Sequence, residues 1–467
     1  MDWTRRVLAH SAPTRCLAAV LALALVSLLA PSTALAYGNG GSDDCPFDES
    51  WLEGAEPSLP LTVVSRNNDP SGPDKCDFYR FAWQYFLYLV QPENNDTVFE
   101  TWPPVDTIFP ADPAPCPGAH VPVVNKFNET DQAGSAAQLY DRQGNLVYYQ
   151  LQVNPQYECT INACQLTNYG CVKDAEASPL EGGFALPVDT VELKTSWRQL
   201  PSSLDDIAQY FYTTEAALAP LPPATQCKED IRIGLVGFHL VVKTLNHPEF
   251  LWFTFEQVDN APTCDPNGCG GNPANCNVPA NTQGPNGFWS FADNSGGPFN
   301  ATEAPTGTDP ADVCEAYAQG DNACLDLDCS NSDCQNRCFI TSINTQASAA
   351  LEGNVWDNYT LMGGIWTNNG DLEFDGNTLL NQRGSLMIAN TTMETYTQDD
   401  NCFNCHAPRP AKEGKTGQIL FSHLFGSAFV PQTTDTCPIT IDNSCYQSCL
   451  DYQTAEIEPV ASHTQTR

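Results

Sequence analysis

Hydrophobic and polar positions follow two different periods along this chain. Phe78, Phe81, Ala82, Tyr85 and Leu89 recur at helical spacing, which predicts an amphipathic helix with a heavily aromatic face. Over residues 105–262 the period shortens towards two, and the stretch reads as mainly β. Gln138-Leu139-Tyr140 and Leu146-Val147-Tyr148-Tyr149 flank Asp141-Arg142-Gln143-Gly144-Asn145, a Gly-containing turn, and so predict a hairpin. Thr190 to Trp197, Ala208 to Thr213, Ile231 to Thr244 and Phe250 to Gln257 are further strand-like runs, rich in β-branched and aromatic residues.

The pattern is lost over 263–345. Cys264, Cys269 and Cys276 sit there among Gly, Asn and Pro, and Cys314, Cys324, Cys329, Cys334 and Cys338 follow. This predicts an insertion with little apolar core, held by disulfides, with calcium at Asp326, Asp328 and Asp333 as the competing reading. Large apolar residues return at Trp356, Tyr359, Met362, Ile365 and Trp366. The expected fold class is α+β. An antiparallel β-rich core occupies 37–262 with the aromatic helix near its start, the insertion spans 263–345, and 346–467 forms a C-terminal segment.

Composition changes the picture at the N-terminus first. Arg5, Arg6 and Arg15 form a basic start, Cys16 to Ala30 is apolar but short for a membrane span, and Ala34-Leu35-Ala36 offers a cleavage site. Residues 1–36 are therefore expected to be a signal peptide. No other stretch has 18 uninterrupted apolar residues, so no membrane span is expected in the mature chain. The chain has 21 cysteines. Together with an export signal these imply an oxidising compartment, and the expected location is the periplasm or outside of a bacterial cell. The formal net charge of −36 argues against nucleic acid and anionic membranes as partners, and would steer a cationic partner or simply aid solubility.

One short stretch carries chemistry. Cys402-Phe403-Asn404-Cys405-His406 reads C-x-x-C-H, the pattern for covalent attachment of a c-type haem. One turn lets both thiols reach the haem vinyl groups, and the adjacent histidine falls beneath the iron as proximal ligand. An ordinary disulfide is the competing reading. The even number of cysteines outside the signal and the motif does not decide between them.

The sixth iron position is open to several residues. No methionine follows His406. His423, in the apolar run Gln418 to Phe425, and Met393 are the leading candidates, Met387 is third, and an open position is the remaining alternative. Two strong ligands would favour electron transfer; an open position would favour small-molecule chemistry. His239 has Lys243 on the same strand face, so this pair is a candidate for distal acid–base groups, against the plainer reading of a buried strand histidine.

Several blocks resemble a family of exported bacterial cytochrome c-like proteins of unassigned reaction. They are Phe81-Ala82-Trp83-Gln84-Tyr85-Phe86 with Leu89; Glu192, Lys194, Trp197 and Arg198; Gly234 to His239; Trp252 to Asn260; and Asn390 to Tyr396, just before the C-x-x-C-H motif. The similarity spans roughly residues 78–425, with 263–345 as an extra, and relatives tend to carry histidine where Gln257 stands. The resemblance implies one covalent haem c and an exported location. The expected function is a mono-haem electron carrier with an unidentified redox partner, which the acidic surface would favour as cationic; the alternative is a haem enzyme or ligand sensor. A third, weaker reading makes the haem a mere staple. The charged residues within the blocks are expected to pair, as Lys194 with Glu256 or Arg198 with Asp259, because lone charges among apolar strands are costly.

Overall fold

The computed structural model describes residues 44–450 except 53–60, 67–71, 95, 110–125, 128–129, 131, 133–137, 220–225, 265–275, 294–295, 300–311, 318, 320–328, 330–333, 377, 408–415, 426–429 and 431–435; of 126–127 it describes the backbone alone. The expected signal peptide, and Asp326, Asp328 and Asp333, lie outside the described residues.

An eight-stranded sheet organises the molecule. Its strands are β1 (Lys126–Phe127), β2 (Tyr148–Val153), β3 (Val191–Gln199), β4 (Thr213–Leu218), β5 (Lys228–Thr244), β6 (His247–Gln257), β7 (Tyr359–Thr367) and β8 (Gln382–Gly384). The order β8-β7-β6-β5-β3-β2 is antiparallel throughout. β4 also pairs with β5, and β1 joins β4 in the sole parallel pairing of this sheet among the described residues. With the helices below, this is the α+β class expected.

The aromatic helix forms as α1 (Lys75–Leu89). Asp74 caps it: its carboxylate accepts from the Asp77 backbone N–H at 3.1 Å, and the Asp77 carboxylate accepts from the Asp74 N–H at 2.9 Å. Phe86 stacks on Phe255 at 4.3 Å and Phe78 on Trp366 at 4.0 Å, so the aromatic face lies on the sheet. Helix α4 (Gln335–Ala350) buries Phe339, Ile340, Ile343 and Ala347 in the same core. The segment expected to be a poorly packed insertion, 263–345, ends inside this helix. Disulfides do hold the segment, among them Cys264–Cys314 and Cys329–Cys338.

Two further departures have local causes. α2 (Pro155–Ala163) and α3 (Tyr169–Glu176) interrupt the stretch read as mainly β. Asn154 caps the first, with Pro155 at its first position, and Asn168 caps the second. The run Ala208 to Thr213 is the end of a short helical turn and a bend, and strand β4 starts only at Thr213. Asp205 and Asp206 favour a helical first turn there. The hairpin about Asp141–Asn145 forms, with Tyr140 bridged to Leu146 and Gly144 at φ 77°.

The C-terminal segment is strapped to α2 and α3 by Cys159–Cys449, Cys164–Cys445 and Cys171–Cys437. The described disulfides belong to an oxidising, extracytoplasmic setting. Among the described residues no helix is long and apolar enough to cross a membrane.

Candidate functional site

Strand register builds the site. Lys194 of β3 pairs with His239 of β5, which pairs with Thr254 of β6; Glu192 pairs with Val241, which pairs with Trp252. Residues directly opposite share a face, and so do residues two apart. Glu192, Lys194, His239, Trp252 and Thr254 therefore stand on one face of the sheet, opposite α1. The short helix α5 (Cys402–His406) lies over this face. Asn401 caps it by accepting from the Asn404 N–H at 3.2 Å, and buried Phe403 anchors it edge-on to Trp252.

A cavity of about 300 Å³ opens between α5 and the sheet. Cys402, Cys405, His406, His423 and the His239–Glu394 pair all border it. Four of the five residues expected at the site thus converge. Met393 does not: it is fully buried in a separate core with Leu139, Val147 and Tyr149, and does not border the cavity. The backbone N–H of Met393 bonds to the Asn390 carbonyl, and this turn presents Glu394 to the cavity while Met393 packs elsewhere.

Every other described cysteine is in a disulfide, whereas Cys402 and Cys405 are not. Burial pushes the Cys402 thiol well up, reinforced by Glu394, so it stays protonated. Burial pulls His406 well below the ordinary imidazole value, with His423, Lys194 and His239 adding to the effect; the ring is neutral and able to donate a lone pair. His406 stacks on Trp252 at 4.9 Å and touches His423, ring centroids 3.9 Å apart.

His423 is held from behind. One oxygen of buried Glu192 accepts from its backbone N–H at 3.1 Å and meets its Nδ1 at 2.9 Å. With a proton on Nδ1, Nε2 keeps its lone pair, an arrangement typical of ligating histidines. Glu394 meets His239 Nε2 at 3.0 Å. Burial would raise Glu394, but His239 and Lys194 outweigh it and hold the carboxyl below its usual value.

The expected ion pairs do not form. Arg198 pairs with Asp141 at 2.8 Å, both buried, and donates to Ser290 Oγ at 2.7 Å. Lys194 lies over the Tyr149 ring, Glu256 accepts from Asn260 and Thr391, and Asp259 from Gln257 and Asn286. Arg198, Glu256 and Asp259 are met chiefly by loop residues, whereas Lys194 lies over a ring of the neighbouring strand β2. Lys243 is no partner of His239 either: its amine donates to the Leu186 carbonyl and to Gln418 Oε1.

The residue types at the cavity are those that a covalent haem would require. Two thiols on one helical turn, a neutral histidine and an aromatic wall border a cavity within the usual ligand-site range of about 300–1,000 Å³. By contrast, among the described residues no group of three or more His, Cys, Asp and Glu is placed to hold a metal ion alone. At 3.9 Å between centroids the His406 and His423 rings are in direct contact; they are the two imidazoles that would hold an iron here. Sequence reasoning missed Glu192 and Glu394 as partners of these histidines; the available signal was Glu192 two residues before Lys194, on the same strand face. No family model, curated protein or solved structure matches this chain, so its function is argued from the site alone.

Proposed function

We propose that this chain is an exported c-type cytochrome with one covalent haem, acting in electron transfer. The observation that carries the reading is the convergence of Cys402, Cys405, His406 and His423 on one cavity. Cys402 and Cys405 would hold the group by thioether bonds, His406 would be the proximal ligand and His423 the sixth. The bound haem supplies a one-electron ferric–ferrous couple. The chain's part is to keep the His406 imidazole neutral, to stack it on Trp252, and to fix His423 through Glu192. Two histidine ligands favour a low reduction potential.

The His239–Glu394 pair on the same cavity favours a second reading, a haem enzyme or ligand sensor with an open position. Absorption spectra of the purified reduced protein with and without carbon monoxide separate the two. A low-spin spectrum that ignores the gas supports electron transfer; a high-spin spectrum that shifts at once supports the open site.

A further inference from the structure

Glu192 is not the only residue that holds His423; helix α2 reaches it from a second side. The Tyr157 hydroxyl of α2 stands 2.7 Å from Ser422 Oγ, a hydrogen-bond distance, and Ser422 immediately precedes His423. Ser422 Oγ also accepts from the Leu424 N–H at 3.1 Å, which closes the turn about His423. Tyr157 is fully buried, and its ring packs edge-on to Phe425 at 6.3 Å. Burial pushes its hydroxyl well up and the Glu192 charge adds to this, so the group stays protonated.

These contacts form a closed ring. Asn154 Oδ1 accepts from the Tyr157 N–H at 3.1 Å and from the Val191 N–H at 3.2 Å. Val191 precedes Glu192, which contacts the backbone and ring of His423. From His423 the ring returns through Ser422 to Tyr157. The turn is thus gripped between β3 and α2. The helix is itself anchored, at Asn154 by a bond from its Nδ2 to Asp189 O at 2.7 Å, and at Cys159 and Cys164 by disulfides to Cys449 and Cys445. A buried tyrosine hydroxyl needs some partner in any fold. What distinguishes Tyr157 is that its partner adjoins a candidate iron ligand.

We propose that Tyr157 is a positioning residue for the sixth iron ligand: through Ser422 it fixes the turn that carries His423 and ties that ligand to the disulfide-anchored helix α2. The proposal rests on the reading of His423 as sixth ligand. It makes α2 part of the haem site although no residue of α2 borders the cavity. Outer partners of this kind hold a ligating imidazole in place, and losing one weakens ligation by about 10–100-fold.

The test is the rate at which the reduced, haem-loaded protein takes up carbon monoxide at saturating gas, followed in the Soret band alongside thermal unfolding. Uptake by a six-coordinate haem waits on release of the sixth ligand, so the rate reports how firmly His423 is held. The unaltered protein should take up the gas slowly. Tyr157→Phe keeps the ring against Phe425 and removes only the hydroxyl; it should speed uptake about tenfold. Ser422→Ala should speed it at least as much, and adding Tyr157→Phe to Ser422→Ala should change the rate no further, because both break the same bond. If Tyr157→Phe does not fold, Ser422→Ala breaks that bond from the loop side and decides. Variants with a lowered Tm but an unchanged uptake rate would make the bond merely structural and overturn the proposal. Immediate uptake by the unaltered protein would instead show that His423 does not hold the sixth position, and the ligation reading would fall together with the proposal.

Discussion

At the scale of single residues, the account turns on who holds the histidines. Glu192 contacts both the backbone and the ring of His423. In Glu192→Gln the ring keeps a neutral acceptor but loses the carboxylate that strengthens its basicity. With haem bound, the reduction potential should rise while the protein stays folded; a redox titration with an unchanged potential would argue against ligation by His423. Lys243 provides a pH test of the same region. Burial lowers it from 10.5 to about 7, with Glu249 opposing. Between these values the unfolded chain binds a proton that the folded chain does not, so this residue makes stability rise with pH from about 7 to 10. Lys243→Met should flatten that rise in denaturant titrations across the window.

The sequence shows the residue types but not these contacts. The C-x-x-C-H run and His423 are visible as letters, because their chemistry follows from side chain and spacing. Glu192 and His423 are 231 positions apart, His239 and Glu394 155 apart. Alternation along a strand fixes a face, not what loop arrives on it. Met393 illustrates the converse. It lies close to the motif in sequence, yet a single turn sends it into another core while its neighbour Glu394 reaches the cavity.

At the scale of elements, the loop Asn390–Glu394 reaches the sheet because β5 carries Gly237 beneath it. A Cβ there would lie 2.5 Å from Ser196 Oγ, 2.6 Å from Thr392 Oγ1 and 2.9 Å from Asn390 Oδ1. Gly237→Ala should destabilise by about 1–3 kcal/mol in denaturant unfolding and push Glu394 from His239. A cost near zero would mean that the loop yields freely. The aromatic helix and the long strands were readable because their periods extend over many residues. α2 and α3 were not, since they are only nine and eight residues long and declare themselves mainly by the Asn154-Pro155 and Asn168 caps. The aromatic contacts of α1 follow from its face, and truncating the central ring, Phe86→Ala, should cost about 3–5 kcal/mol.

At the scale of the whole molecule, a sheet packed by α1 and α4 on one face presents the site on the other, and disulfides strap the C-terminal segment over α2 and α3. The net charge of −36 favours cationic partners. If the chain transfers electrons, its reaction with a cationic redox protein should slow as ionic strength rises from about 0.01 to 0.15 M, where the screening length falls from about 30 to 8 Å. A rate indifferent to salt would remove charge from the account of partner choice. The most direct measurement of the central claim is the denatured mass and Soret absorption of the protein from a host able to export it and attach haem. The account predicts one haem mass retained on the chain, lost in Cys402→Ala with Cys405→Ala. A chain of bare polypeptide mass, with no Soret band and Cys402 bridged to Cys405, would contradict it.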